Sequence, residues 1–244
     1  FPCDLLRADI LQYRSRCHRR HRDYVAARED VELALELAEG LGDRGAIANT
    51  YFQASLIAQR QGHYLLSRNY AQRAKELYQE LNDERNVGRL LLMFGGLTLM
   101  LGDEERAVEH LKASYSRALD SDSPADAAQA LAGIARVHLN RGDYDQADDL
   151  ARRALELLQG RDDYLHEVSP SQLVLGRAFL ERGRLDEAEE CFRAADAAAE
   201  QLESLSYRTE AWVAMGDLAA RRGDDREASR LYRNAAEALQ EIRF

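Results

Sequence analysis

Residues 128–158 read AQALAGIARVHLNRGDYDQADDLARRALELL. Ala128, Leu131, Ala132, Ile134, Ala135 and Val137 recur at helical spacing, and Asn140-Arg141-Gly142-Asp143 interrupts them. Gly142 suits the positive φ of a helix C-terminus, and Asp143 suits the start of a second helix. That second helix is expected from about Tyr144 to Leu158, with Ala147, Leu150, Ala151, Ala154, Leu155 and Leu158 on one face. The stretch predicts two antiparallel helices joined by a tight turn.

The turn has echoes on both sides. Gln61-Gly62-His63-Tyr64, Leu101-Gly102-Asp103-Glu104, Arg182-Gly183-Arg184-Leu185 and Arg222-Gly223-Asp224-Asp225 repeat it, and Arg22-Asp23-Tyr24 is a degenerate first copy with Arg22 in place of Gly. The turn positions 22, 62, 102, 142, 183 and 223 are separated by 40, 40, 40, 41 and 40 residues. Five residues after each comes Ala27, Ser67, Ala107, Ala147, Ala188 or Ala228, and twelve after comes Ala34, Ala74, Ser114, Ala154, Ala195 or Ala235. Seven before each comes Ser15, Ser55, Gly95, Ala135, Gly176 or Gly216. A mid-helix Gly costs up to about 1 kcal/mol, so these positions are expected to serve close approach of the paired helices. Gly42-Asp43, Asn82-Asp83, Asp120-Ser121-Asp122-Ser123-Pro124 and Gly160-Arg161-Asp162-Asp163 read as turns between units, with Ser123-Pro124 resembling an N-cap followed by Pro. A fixed period of this length predicts a stack in which each unit buries its apolar face on its neighbours.

Composition agrees. Ala, Leu, Glu and Arg abound, Pro occurs three times, and nothing suggests a sheet. The net charge of −10 falls after the first sixty residues, which balance nine basic against nine acidic side chains. An acidic body repels phosphate backbones, so general nucleic-acid binding is not expected. The longest apolar run, Leu90 to Leu101, is too short to span a membrane, and no secretory signal is expected. Cys3, Cys17 and Cys191 form no disulfide framework, which favours a reducing cytoplasm. Of the basic residues only Lys75 and Lys112 are Lys, a bias that suggests a GC-rich bacterial genome. The chain opens Phe1-Pro2-Cys3 without Met, which suggests a piece of a longer protein whose effector domain lies elsewhere.

Trp212, Met215-Gly216, Ala228 and Tyr232, and again Leu175-Gly176, Phe179, Ala188 and Phe192, resemble the tetratricopeptide repeat (TPR). The period of 40 departs from the usual 34, and the closing Pro is missing, which implies longer helices or linkers. Such variants look like those of Pins-type polarity scaffolds and of sensor domains in bacterial transcription regulators and signalling ATPases. The resemblance implies an all-α, right-handed superhelical solenoid of six TPR-like helix-turn-helix units. They would form one domain over 1–244, with units at about 5–41, 44–81, 84–120, 124–159, 165–202 and 205–244. The first unit is the weakest, since Arg14 stands where the others carry an apolar residue.

The resemblance also implies a concave face, lined by the first helix of each unit, that binds a peptide or a partner's helix. Carried over by offset from the turns, its apolar anchors are Phe52, Leu56, Leu92, Met93, Leu99, Met100, Leu139 and Leu173. Its charge contacts are Arg16, Arg60, Arg89, Arg136 and Arg177, suited to an acidic partner. The third unit, apolar all around its first helix, is expected to leave one face open to the groove or to pack on a neighbour or a second subunit. A Lys/Asn clamp for chaperone tails is not expected, because Gln12, Arg16, Phe52 and Leu56 occupy its positions.

The one dense basic run comprises Arg14, Arg16, Cys17, His18, Arg19, Arg20, His21 and Arg22. It reads as a solvated helix end facing Glu29, Asp30 and Glu32, as an anionic-ligand pocket, or as a metal site through Cys17 and His21. His138 is expected to pack, while Asp162-Asp163 and Glu189-Glu190 read as linker and solvent charge. With no phosphate loop, serine elbow or zinc-protease motif, neither an enzyme nor a cofactor is expected. The expectation is a cytoplasmic adaptor or scaffold. The alternatives are a sensor domain of a transcription regulator or signalling ATPase, and a self-assembling solenoid joined through exposed repeat ends.

Overall fold

The computed structural model describes residues 2–160 and 164–243, with side-chain surroundings for residues 4–160 and 164–240. The Cys3 side chain, the linker residues Arg161, Asp162 and Asp163, and the terminal Phe244 lie outside the described residues. Among those described there are twelve α-helices and no strand. In order they are α1 (Pro2–Arg20), α2 (Tyr24–Leu41), α3 (Arg44–Arg60), α4 (Tyr64–Glu80), α5 (Glu84–Met100), α6 (Glu104–Asp120), α7 (Pro124–Asn140), α8 (Tyr144–Glu156), α9 (Leu165–Glu181), α10 (Leu185–Gln201), α11 (Leu205–Arg221) and α12 (Asp225–Arg243).

The longer period is taken up by helix length. Helices α3 to α7 and α9 to α11 each run 17 residues, about 25 Å at 1.5 Å per residue. Short turns separate them, and the turn residue is left-handed both within and between units. Gly62, Gly102, Gly142, Gly183 and Gly223 have φ of 74 to 82°, and Arg22 takes the same place at 64°. Between units Gly42, Asn82, Asp122 and Glu203 do likewise, at 68, 55, 46 and 50°. Asp side chains at 23, 43, 83, 103, 143 and 224 then accept the backbone N–H three residues on, each starting a helix. Ser123 departs from the expected cap. Pro124 does open α7, but Ser123 Oγ donates to Asp126 Oδ2 at 2.7 Å instead of accepting a backbone N–H.

The helices group into two compact bodies, residues 1–97 and 98–244, with α5 contributing to both. In the first, α1 pairs with α2 and α3 with α4, while α1 also packs along α3. Gln12 Nε2 reaches Thr50 Oγ1 at 3.2 Å across that seam, and Ser55 Oγ lies 3.5 Å from Met93 Sδ between α3 and α5. In the second, α7 pairs with α8, α9 with α10 and α11 with α12, and α9 packs along both α7 and α11. The small residues five and twelve positions after the turns are buried in all six units. The helix crossings therefore lie where the repeat places its smallest side chains.

An Arg ladder ties successive units of the second body. Arg141 Nε donates to Glu104, Arg182 pairs with Asp145 and Asp148, and Arg222 pairs with Asp186 and Glu189. Each Arg precedes a turn Gly, and each acceptor lies early in the second helix of the preceding unit. Exposed pairs of this kind contribute about 0–1 kcal/mol each, more in a network.

Candidate functional site

The first helices present a row at i, i+4 and i+8, which lies on one helix face. In the first body the row reads Gln12-Arg16-Arg20 on α1 and Phe52-Leu56-Arg60 on α3. Gln12 is buried by its bond to α3, Phe52 and Leu56 are half-buried, and Arg16, Arg20 and Arg60 are exposed. The Arg16 guanidinium sits over the Tyr13 ring at 4.4 Å. Among the described residues Arg16, Arg19, Arg20 and Arg60 form no ion pair, although Arg14 in the same run is well matched. Arg14 holds the buried Asp30 through both oxygens, at 2.8 and 2.5 Å, with His18 Nε2 at 3.7 Å. Of the acidic residues expected opposite the basic run, Asp30 alone pairs with it; Glu32 pairs with Arg28.

The expected anchors divide by accessibility. Leu92 is half-buried and Arg89 exposed in the first body, but Met93 is 8% exposed and buried against Ser55. In the second body Leu99 is half-buried and Met100 59% exposed. Leu139 packs at the edge of a core that includes Ala135, Leu173, Leu175 and Phe179, and Leu173 itself is buried. Met93 and Leu173 therefore support their faces from beneath. Arg136 is exposed, whereas Arg177 lies 3.8 Å from Asp217, which also accepts the Tyr232 hydroxyl at 2.8 Å. Arg221 likewise meets Glu181 at 3.4 Å. In the second body the Arg residues of α9 and α11 thus have partners on the same face. Among the described residues, Arg16, Arg19 and Arg20 of α1 and Arg60 at the end of α3 have no acidic partner.

His138 does more than pack: its Nδ1 lies 3.0 Å from Asp143 Oδ2, bracing the carboxylate whose other oxygen caps α8. Arg19 and Arg20, inward-facing by the same groove offsets but not among the expected charge contacts, belong with Arg16 and Arg60. Arg20 occupies the same place before its turn as Arg60, and that shared offset was the available signal. Exposed apolar side chains also gather at the first repeat, at Leu5, Leu6, Ile10 and Tyr13, and fewer at the last, at Tyr232 and Leu239. Among the described residues no helix is long and apolar enough to cross a membrane.

The family model of the MalT-like TPR region matches residues 81–244. No curated protein sequence matches the chain. Among solved structures, aspartyl phosphate phosphatase F from Bacillus subtilis is 17% identical, with a TM-score of 0.72 over 98% of this chain and 71% of that one. A Rap protein complexed with competence and sporulation factor is 18% identical, with a TM-score of 0.73 over 97% of this chain and 70% of that one. A signal-transduction ATPase with a TPR sensor from Pyrococcus horikoshii is 14% identical, with a TM-score of 0.66. The alignment covers 98% of this chain but 36% of the ATPase. At these identities the likeness is one of fold.

Proposed function

The chain belongs to the MalT-like TPR family, and from that premise we propose that it is a protein-interaction module holding an acidic, apolar-anchored peptide or partner helix against its first helices. The observation that carries this reading is the row on α3, where half-buried Phe52 and Leu56 lead to the exposed, unpaired Arg60, beside Arg16 on α1. Apolar surface next to uncompensated charge favours a ligand that supplies both burial and countercharge. Extended burial gives affinity, and the Arg contacts set register and association rate. Leu92 on α5 offers a further apolar contact in the first body, and the second body, taken by itself, presents Leu99, Met100, Leu139 and Arg136. The likeness to a Rap protein complexed with competence and sporulation factor, and to a Rap conjugation gene regulator in complex with a Phr peptide, supports a peptide ligand by analogy of fold.

Panning a random peptide library on the full chain, then titrating selected peptides by fluorescence anisotropy, tests the reading. Selected peptides should pair acidic residues with apolar ones. Leu56→Glu and Arg60→Glu should each weaken them about tenfold or more, while Arg226→Glu on α12 changes nothing. Unchanged affinity in both face variants, with helicity intact by circular dichroism, removes the reading.

A second reading is a sensor module within a larger regulator or signalling ATPase. It is favoured by the likeness to the Pyrococcus ATPase, of which this chain matches about a third. A nucleotide-binding or helix-turn-helix segment in the same reading frame would support it.

A further inference from the structure

Arg19 is the least comfortable charge in the first body. Its Nε is buried and has no hydrogen-bond partner. Burial, and then the guanidiniums of Arg60, Arg20 and Arg16, push it below its ordinary value. Three of these residues stand at i, i+3 and i+4 on the last turns of α1, and the fourth ends α3, the helix packed along α1. The last-turn carbonyls of α1 offer no relief. Those of Cys17, His18 and Arg19 already accept the backbone N–H groups of His21, Asp23 and Arg22. Favourable interaction with the helix C-terminus accounts for one exposed Arg, since it is weak and fades within a turn. It does not account for a half-buried Arg, its Nε without a partner, set among three more guanidiniums.

A buried charge with no counter-ion is among the most destabilising features a fold can hold. A planar guanidinium fork is also the side chain best matched to a carboxylate or phosphoryl oxygen pair. We propose that Arg19, flanked by Arg16, Arg20 and Arg60, forms an oxyanion-binding site between the C-terminal turns of α1 and α3. The ligand group is a multivalent oxyanion, either a phosphoryl or a close pair of carboxylates. The first sixty residues otherwise balance in charge, nine basic against nine acidic, so the excess of positive charge is local to these four guanidiniums and fits a compact anion. The site needs only α1 and α3; it shares Arg16 and Arg60 with the peptide reading but none of that reading's apolar contacts.

The test is thermal unfolding of the full chain in chloride buffer, with inorganic phosphate or succinate added at matched ionic strength. Wild type should melt about 3 °C higher with an anion at ten times its dissociation constant. Arg19→Met, which keeps the aliphatic stem, should melt higher than wild type without added anion and lose most of the anion response. Arg60→Ala, at an exposed position, should lose part of it. A response to phosphate alone assigns a phosphoryl ligand, and one to succinate alone assigns paired carboxylates. Equal shifts in wild type and Arg19→Met would mark a general salt effect and overturn the proposal. So would the absence of any shift, or an Arg19→Met variant that melts lower or fails to fold. Leu56→Ala, which adds no charge beside Arg60, should keep the full anion response even if it weakens peptide binding, which separates the two readings.

Discussion

Gly176 on α9 faces the Phe192 ring on α10 so closely that a Cβ added to it would stand 2.5 Å from Cε1. The next unit repeats the arrangement, with Gly216 under the Tyr232 ring at 2.6 Å. The missing side chain seven residues before the turn is thus the space that the aromatic nine residues after it fills.

Gly176→Ala should therefore destabilise by about 1–3 kcal/mol through overpacking, against the helix propensity it gains. Gly96 on α5 has nothing within 4 Å of a built Cβ. Gly96→Ala should stabilise by up to about 1 kcal/mol. Urea unfolding of the two variants should show shifts of opposite sign, and adding Phe192→Leu to Gly176→Ala should recover part of the loss.

Arg14 stands where the other units carry apolar side chains, and the buried Asp30 accepts its guanidinium. Arg14→Leu alone should destabilise by leaving the buried Asp30 carboxylate without its fork, and Asp30→Leu alone should also destabilise. In the Arg14→Leu, Asp30→Leu double variant the leucine buried at position 30 should recover part of either single loss, since Asp30 is buried while Arg14 is 57% exposed. A double-mutant cycle by thermal melting reads the coupling.

The Arg222 hydrogen bond holds the Glu189 carboxyl below its ordinary value, with Arg193 adding to the effect. A folded-state value lowered in this way gives stability that is fully present above the ordinary 4.5 and is lost as pH falls through the lowered value. Glu189→Gln should leave melting at pH 7 lower and flatten its dependence on pH below 4.5. Glu187 and Glu227, lowered by Arg184 and Arg230, should keep a residual slope.

Burial pushes the Cys191 thiol up to about 11, whereas Cys17 is exposed. At pH 7 iodoacetamide should modify Cys17 in minutes and leave Cys191 untouched until the chain is unfolded, as peptide mass spectrometry would read. Rapid native labelling of Cys191 would show that the α9–α10 hairpin opens.

Much of the fold was legible because it is local. Turn Gly residues at fixed spacing, Asp after them and small residues at two offsets state helix ends and crossings within a few residues of chain. What was less legible lies in side chains that meet across the stack. Met93 and Leu92 are neighbours in one apolar run, yet one is buried against Ser55 and the other half-open. Arg177 and Arg16 share an offset from their turns, but Asp217 neutralises the first, while no described acidic residue pairs with the second.

The sequence by itself determined the helical hairpin, its 40-residue period and the places where helices touch, since each follows from backbone conformation and size at short range. Only the tertiary structure decided which charges find partners. Ion pairing depends on residues 12 to 40 positions apart being brought within a few ångströms, and on how deeply each is withdrawn from water. Neither distance nor burial is written in spacing along the chain, and so the solitary Arg19 and the matched Arg14 look alike until the helices are packed.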